Sequence, residues 1–150
     1  MSNEAVSNST CLIALERIGQ LALLPRVFPT VYVPAAVQKE VGVTIPWLTT
    51  KEATNPSTVA VLKVQLGDGE AHAIALALEL PGTEIILDDK KARRIAQQLG
   101  LRVIGTVGIL LRAKRRGIVP AIRPLLQAIQ AAGFRLSPSL SNEALRIAGE

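Results

Sequence analysis

Ile85-Ile86-Leu87-Asp88-Asp89-Lys90-Lys91-Ala92-Arg93-Arg94 is a short apolar run that ends on two carboxylates and passes at once into a helical pattern. A run this short, rich in β-branched residues and bounded by polar ones, reads as a fully buried strand. The helix after it starts at about Asp89, turns Ala92, Ile95, Ala96 and Leu99 inward, and stops at Gly100. The same unit recurs along the chain. Ala5-Val6-Ser7, Val31-Tyr32-Val33 and Val103-Ile104 are further short apolar runs, and each leads into a helix. This alternation predicts an α/β fold of three layers, α/β/α, around a short and mostly parallel central sheet.

Local signals mark the helix ends. Pro34 suits a first helical position, with Val37 and Val41 on one face up to Gly42. Asp68 reads as the N-cap of a helix whose Ala71, Ile74, Ala75 and Leu78 follow an inward stripe. Thr106 reads as the cap of the next, which ends in Arg112, Lys114, Arg115 and Arg116, cations that suit a helix C-terminus. Pro124 opens a further helix through Leu125, Leu126 and Ile129, and Ser141 is the expected cap of a last one ending near Gly149. Between these, Trp47-Leu48-Thr49 reads as an edge strand and Thr58–Gln65 as a helix.

At 150 residues the simplest expectation is a single domain, 1–150, with one core. Hydrophobic residues make up 49% of the chain but aromatics only 3%, so that core must be built from Ala, Val, Ile and Leu. No apolar run approaches the roughly 18 residues that would span a bilayer. Met1-Ser2-Asn3-Glu4 lacks the basic and apolar regions of a secretory leader, and one cysteine, Cys11, rules out an intrachain disulfide. These features point to the cytoplasm and to no membrane association. Charge is unevenly placed: residues 1–75 carry a net −1 and residues 76–150 a net +6. A basic half suits a polyanion by counterion release, although solvated helix faces produce the same balance.

Four places carry groups able to do chemistry: Asn8, Glu40, Glu70 and the pair Asp88-Asp89. Carboxylates with one histidine and one cysteine point to hard, oxygen-preferring ions such as Mg²⁺ or Mn²⁺. In open α/β sheets ligands bind beyond the carboxyl ends of the strands. Three such ends here are polar: Asn8-Ser9-Thr10, Asp88-Asp89 and Gly105-Thr106. Glu70 falls in the first turn of its helix, where the dipole favours a carboxylate, whereas Glu40 falls at the far end of its own. Taken singly, both read as solvated helix carboxylates, and Asp88-Asp89 as a helix cap. Periodicity does not say that these helices converge. His72 does not share Glu70's helix face, Cys11 reads as a small core residue, and Tyr32 and Trp47 are too isolated for a base-stacking platform. Receiver-type phosphotransfer at Asp88-Asp89 is disfavoured, because no later strand offers the expected lysine.

The ordered blocks carry a resemblance. Val6-Ser7-Asn8-Ser9-Thr10-Cys11-Leu12-Ile13 is similar to the opening of a PIN domain, and Val33-Pro34-Ala35-Ala36-Val37-Gln38-Lys39-Glu40-Val41 to that family's second block. Gly69-Glu70-Ala71-His72-Ala73-Ile74 resembles the third acidic block and Ile85-Ile86-Leu87-Asp88-Asp89-Lys90 the fourth. Gly105-Thr106-Val107-Gly108-Ile109-Leu110-Leu111 is similar to a stretch of one bacterial and archaeal branch. The resemblance runs from about residue 5 to residue 149. It implies a compact nuclease, often the ribonuclease toxin of a VapC-type toxin–antitoxin pair, acting on RNA with Mg²⁺ or Mn²⁺ and frequently a homodimer.

Carried over by position, the resemblance makes Glu40, Glu70 and Asp89 metal ligands or ligand-positioners, with Asp88 one residue of alignment away. Ser9 and Thr10 would meet phosphate or order the ligands, with Thr106 a weaker candidate. Lys90, Lys91, Arg93 and Arg94 flank the site as phosphate contacts. Arg112, Lys114, Arg115 and Arg116 would serve RNA or an acidic antitoxin equally well. One departure stands out. Where the family has its first aspartate this chain has Asn8, whose amide oxygen can ligate Mg²⁺ but carries no charge. A weakened nuclease, a nucleic-acid-binding relative without turnover, a partner-binding module and an engineered inactivation all stay open on the sequence.

Overall fold

The structure, a computed structural model, describes residues 4–150. Met1, Ser2 and Asn3, part of the segment read against a secretory leader, lie outside the described residues. Five strands form one sheet: β1 (Glu4–Ser7), β2 (Thr30–Val33), β3 (Leu48–Thr50), β4 (Glu84–Ile86) and β5 (Arg102–Ile104). Their order is β3-β2-β1-β4-β5 and every neighbouring pair is parallel. The helices that flank it are α1 (Ser9–Arg17), α2 (Leu23–Val27), α3 (Ala35–Val41), α4 (Pro56–Lys63), α5 (Asp68–Glu79), α6 (Lys90–Gln98), α7 (Thr106–Arg115), α8 (Arg123–Ala131) and α9 (Pro138–Ala148). This is the predicted α/β arrangement, and the edge strand after Trp47 is β3.

Strand order fixes where a ligand can sit. The chain steps from β1 outward to β2 and β3, then returns through α4 and α5 to place β4 on the other side of β1. The direction of winding therefore reverses between β1 and β4, and the loops at their carboxyl ends part to leave a crevice. Ser7 is in register with Ile86, and the Asn8 N–H donates to the Ile86 carbonyl at 3.2 Å. Asn8 and Asp88-Asp89 thus emerge side by side.

The core is aliphatic, as composition requires. Ala5, Val6, Val31, Val33, Ile85 and Ile86 are buried on both faces of the sheet, against Leu12, Leu15, Leu24, Phe28 and Leu76 from the helices. Each large side chain so buried contributes about 1.5–3 kcal/mol. Along α5 burial is almost all round, taking in Ala71, Ala73, Ile74, Ala75, Leu76 and Ala77. Small alanines let the helix pass close beneath the sheet, so the inward surface is wider than the expected stripe and Leu78 faces outward. On α6, Ala92 and Ala96 are buried but Leu99 is exposed.

Several caps differ from expectation for local reasons. Asp68 is the first residue of α5, behind an N-cap at Gly67, and its carboxylate pairs with Lys63 at 3.0 Å instead of capping. Pro34 is itself the N-cap of α3, whose first N–H, that of Ala35, is taken by the Glu52 carboxylate. Ser137, not Ser141, caps α9: its Oγ accepts from Leu140 N–H at 3.1 Å, and Pro138 supplies the preset φ of a first helical residue. Among the described residues no helix is long and apolar enough to cross a membrane.

Candidate active site

Asn8 closes β1 in the N-cap position of α1, yet its side chain makes no capping hydrogen bond. It is 3% exposed, and its Oδ1 has no hydrogen-bond partner. Asparagine at an N-cap ordinarily turns that oxygen to the first N–H groups of the helix. A buried acceptor left unpaired costs about 1–3 kcal/mol. Ser9 and Thr10 follow, half-buried in the first turn of α1.

The carboxylates arrive from three helices. Glu70 stands three residues into α5, where the Gly67 N–H bonds its carboxylate in half of a capping box. Burial nonetheless holds Glu70 above the usual carboxylate range, and the negative charges of Asp89 and then Glu40 push it the same way. Glu40 reaches it because the last turn of α3 crosses the start of α5. A Cβ built on Gly69 would stand 2.2 Å from Glu40 Oε1 and 2.9 Å from its Cδ. The Glu40 carboxylate therefore rests on the bare backbone of Gly69, one residue from Glu70. No ion pair to lysine or arginine neutralises Glu40, Glu70 or Asp89 among the described residues.

The two aspartates divide their work. Asp89 is the N-cap of α6, its Oδ2 accepting from Ala92 N–H at 2.9 Å, and its charge is the one that Glu70 feels most. Asp88 turns the other way, with Oδ1 accepting from Thr106 N–H at 2.8 Å and Oδ2 from Thr106 Oγ1 at 2.6 Å. Thr106 is thus no cap: Gly105 holds that position, and Thr106 ties the end of β4 to the start of α7. Cys11 lies against this pair. Its thiol is pushed up to about 12, chiefly by burial and then by Asp88, with a Thr106 hydrogen bond opposing, so it stays protonated and inert.

Among the described residues no three histidine, cysteine or acidic side chains stand grouped to hold an ion. The donor chemistry still fits a hard divalent cation. Three un-neutralised carboxylates that repel one another and one buried, unpartnered amide oxygen are the features that such an ion relieves.

Basic residues fall in two places. Lys90, Lys91 and Arg94 are exposed on the first turns of α6, and half-buried Arg93 brings a guanidinium nitrogen within 2.7 Å of where a Gly105 Cβ would stand. The second group sits at the far end of α7, about 15 Å from the site. Three of its members have internal partners there. Arg112 grips Glu84 at 2.7 and 3.0 Å over the Phe28 ring, Lys114 binds the Ala148 carbonyl and Glu150, and Arg116 binds the Val27 carbonyl. Arg115 is exposed. His72 Nδ1 faces the Asp68 carbonyl at 2.8 Å, apart from the carboxylates. The sequence reading missed both the buried Glu84–Arg112 pair and a cavity of about 610 Å³ beyond Asp88 and Asp89.

Compared with known families, the chain matches the family model of the PIN domain over residues 4–150. PIN domains are nuclease-type domains that generally use divalent metal ions. Neither the curated proteins nor the solved structures yield a match. With a match spanning all the described residues, on a parallel sheet whose carboxyl edge gathers the acidic residues, the chain belongs to the PIN-domain family.

Proposed function

We propose that this chain is a single-domain, divalent-metal-dependent endoribonuclease of the toxin–antitoxin kind, weakened by Asn8. The observation that carries the reading is the meeting of Glu40, Glu70 and Asp89 beside the unpartnered Asn8 amide oxygen. Glu70 and Asp89, with Glu40 swinging in from α3 and Asn8 from β1, are the residues that would hold Mg²⁺ or Mn²⁺. Once bound, such an ion supplies Lewis-acid polarisation of the phosphate and of water. The Ser9 and Thr10 hydroxyls and the cations of Lys90, Lys91, Arg93 and Arg94 would hold the RNA backbone across that mouth. Asp88 positions: through Thr106 it fixes the loop from which Asp89 projects.

A neutral amide in place of a carboxylate removes one negative charge from the metal site. Metal affinity and turnover both fall on that account. Asn8→Asp is therefore expected to raise Mn²⁺-dependent cleavage of single-stranded RNA above that of the unmodified chain. Failure of both forms to cut any of several RNAs, with Mn²⁺ in excess, would sink the nuclease reading.

The same amide, and the lack of a ready-made metal cluster among the described residues, favour a second reading as a nucleic-acid-binding relative without turnover. RNA affinity should then survive chelation and fall steeply with salt. A homodimer contact or an antitoxin would find exposed apolar surface at Val61 and Val64 on and just after α4.

A further inference from the structure

The cavity beyond Asp88 and Asp89 encloses about 610 Å³, within the range of pockets that take small organic ligands. One wall belongs to the candidate active site: Thr10, Asp88, Asp89 and Thr106. The opposite wall is apolar, with Val103, Leu111, Ile129, Phe134, Leu136 and Ile147. Two guanidinium groups reach it, those of Arg93 and Arg135, and neither has an ion-pair partner among the described residues. The further carboxylate on this lining, Glu143, is held by Arg146 at 2.5 and 2.9 Å. Phe134 is fixed by the Arg17 guanidinium 5.2 Å from its centroid.

Between the acidic wall and the apolar one stand two glycines. A Cβ on Gly105 would meet Arg93 at 2.7 Å and Asp88 Oδ1 at 3.0 Å, and one on Gly108 would meet Ile104 Cγ1 at 2.9 Å. The bare backbone of Gly105 lets the Arg93 guanidinium lie beside Asp88, on the boundary between the two walls.

We propose that this cavity seats one unstacked nucleotide of single-stranded RNA, next to the phosphate held at the carboxylates. The proposal rests on the nuclease reading and names its substrate class. Its apolar wall and phenyl ring suit the face of a base, whereas Arg93 and Arg135 suit the phosphates on either side of it. A paired base cannot enter, because it would have to leave its stack, so the cavity selects unpaired RNA. Position favours a nucleotide over a protein side chain: the residues that would bind the scissile phosphate also form the cavity's wall.

The test is a titration of the full chain, labelled with ¹⁵N and held in EDTA, with each of the four ribonucleoside 5′-monophosphates. Inorganic phosphate is the control. Saturable shifts of the Gly105, Gly108, Phe134 and Leu136 amides are expected at low millimolar nucleotide and not with phosphate. Ile147→Glu sets an anion on the apolar wall at a position 58% exposed, so folding is preserved. It should weaken nucleotide binding about tenfold. Arg135→Ala, also on exposed surface, should weaken it severalfold. Absent shifts, equal shifts with phosphate, or unchanged affinity in Ile147→Glu would each overturn the proposal. RNA cleavage by Asn8→Asp without nucleotide shifts would remove the pocket and leave the nuclease. Nucleotide shifts without cleavage by any form would support the pocket and remove the nuclease.

Discussion

Gly69→Ala separates the active-site geometry from the stability of the fold. Gly69 lies in the first turn of α5 without a positive φ, so alanine fits its backbone and should favour the helix by up to about 1 kcal/mol. The new methyl would stand 2.2 Å from Glu40 Oε1, where ordinary contact begins at 3.4 Å, so the carboxylate must retreat by the difference, 1.2 Å. Glu40 is exposed and flexible, and a shifted rotamer costs about 0.5–1.5 kcal/mol, which roughly cancels the helix gain. The melting temperature should therefore move by no more than about 3 °C. Catalysis should respond very differently, since a misplacement of about 1 Å costs on the order of 100-fold. In the Asn8→Asp background, Mn²⁺-dependent RNA cleavage and calorimetric melting give both numbers. Cleavage within twofold of the parent, at unchanged melting temperature, would show that Glu40 has no part in the site. A melting temperature lower by many degrees would show that the carboxylate cannot yield and that the contact is structural.

Glu70→Gln should raise the metal-free melting temperature at pH 7. A carboxylate held above its unfolded value of 4.5 weakens the fold once the pH exceeds that value, so the advantage should vanish as pH drops below it. Added Mn²⁺ should stabilise the unmodified chain more than this variant, and equal stabilisation would exclude Glu70 as a ligand. Arg112→Leu leaves Glu84 buried without its cation and should cost about 3–5 kcal/mol in chemical denaturation, and a loss under about 1 kcal/mol would mean that water reaches the pair. Glu150 accepts from the Ile122 and Arg123 N–H groups and from Lys114, which lowers its carboxyl to about 2. Its contribution is present above pH 4.5 and is lost as pH falls through about 2, so Glu150→Gln should melt lower at pH 7 and converge with the parent in acid. A gap independent of pH would refute that charge-based account.

What was legible in the sequence follows from the range over which each signal acts. The strands at Ala5, Val31, Ile85 and Val103 were readable because a doubly buried parallel strand needs a short apolar run, a property of the run alone. The placing of Asn8 beside Asp88-Asp89 was half readable, since the polar strand ends were visible but not the strand order that makes β1 and β4 neighbours. Caps failed where a side chain had a more distant partner. Thr106 looked like an N-cap because nothing local reveals that its hydroxyl and N–H are both taken by Asp88, eighteen residues earlier. Asp68 looked like one because Lys63 lies across a turn from it.

Glu40 is the sharpest case. Its place at the far end of α3 argued for distance from the site, and the feature that reverses this is a missing side chain, Gly69, on a helix that begins 27 residues beyond α3's last residue. A glycine in a first turn looks like a weak helix former until a carboxylate is found resting on it. The same reasoning assigns Asp88 its role. An aspartate with both oxygens occupied by one threonine has little left to offer an ion, whereas Asp89, with one oxygen on its cap, still projects its charge onto Glu70. The adjacent aspartates, interchangeable in the sequence, are thus divided by one threonine into a brace and a candidate ligand.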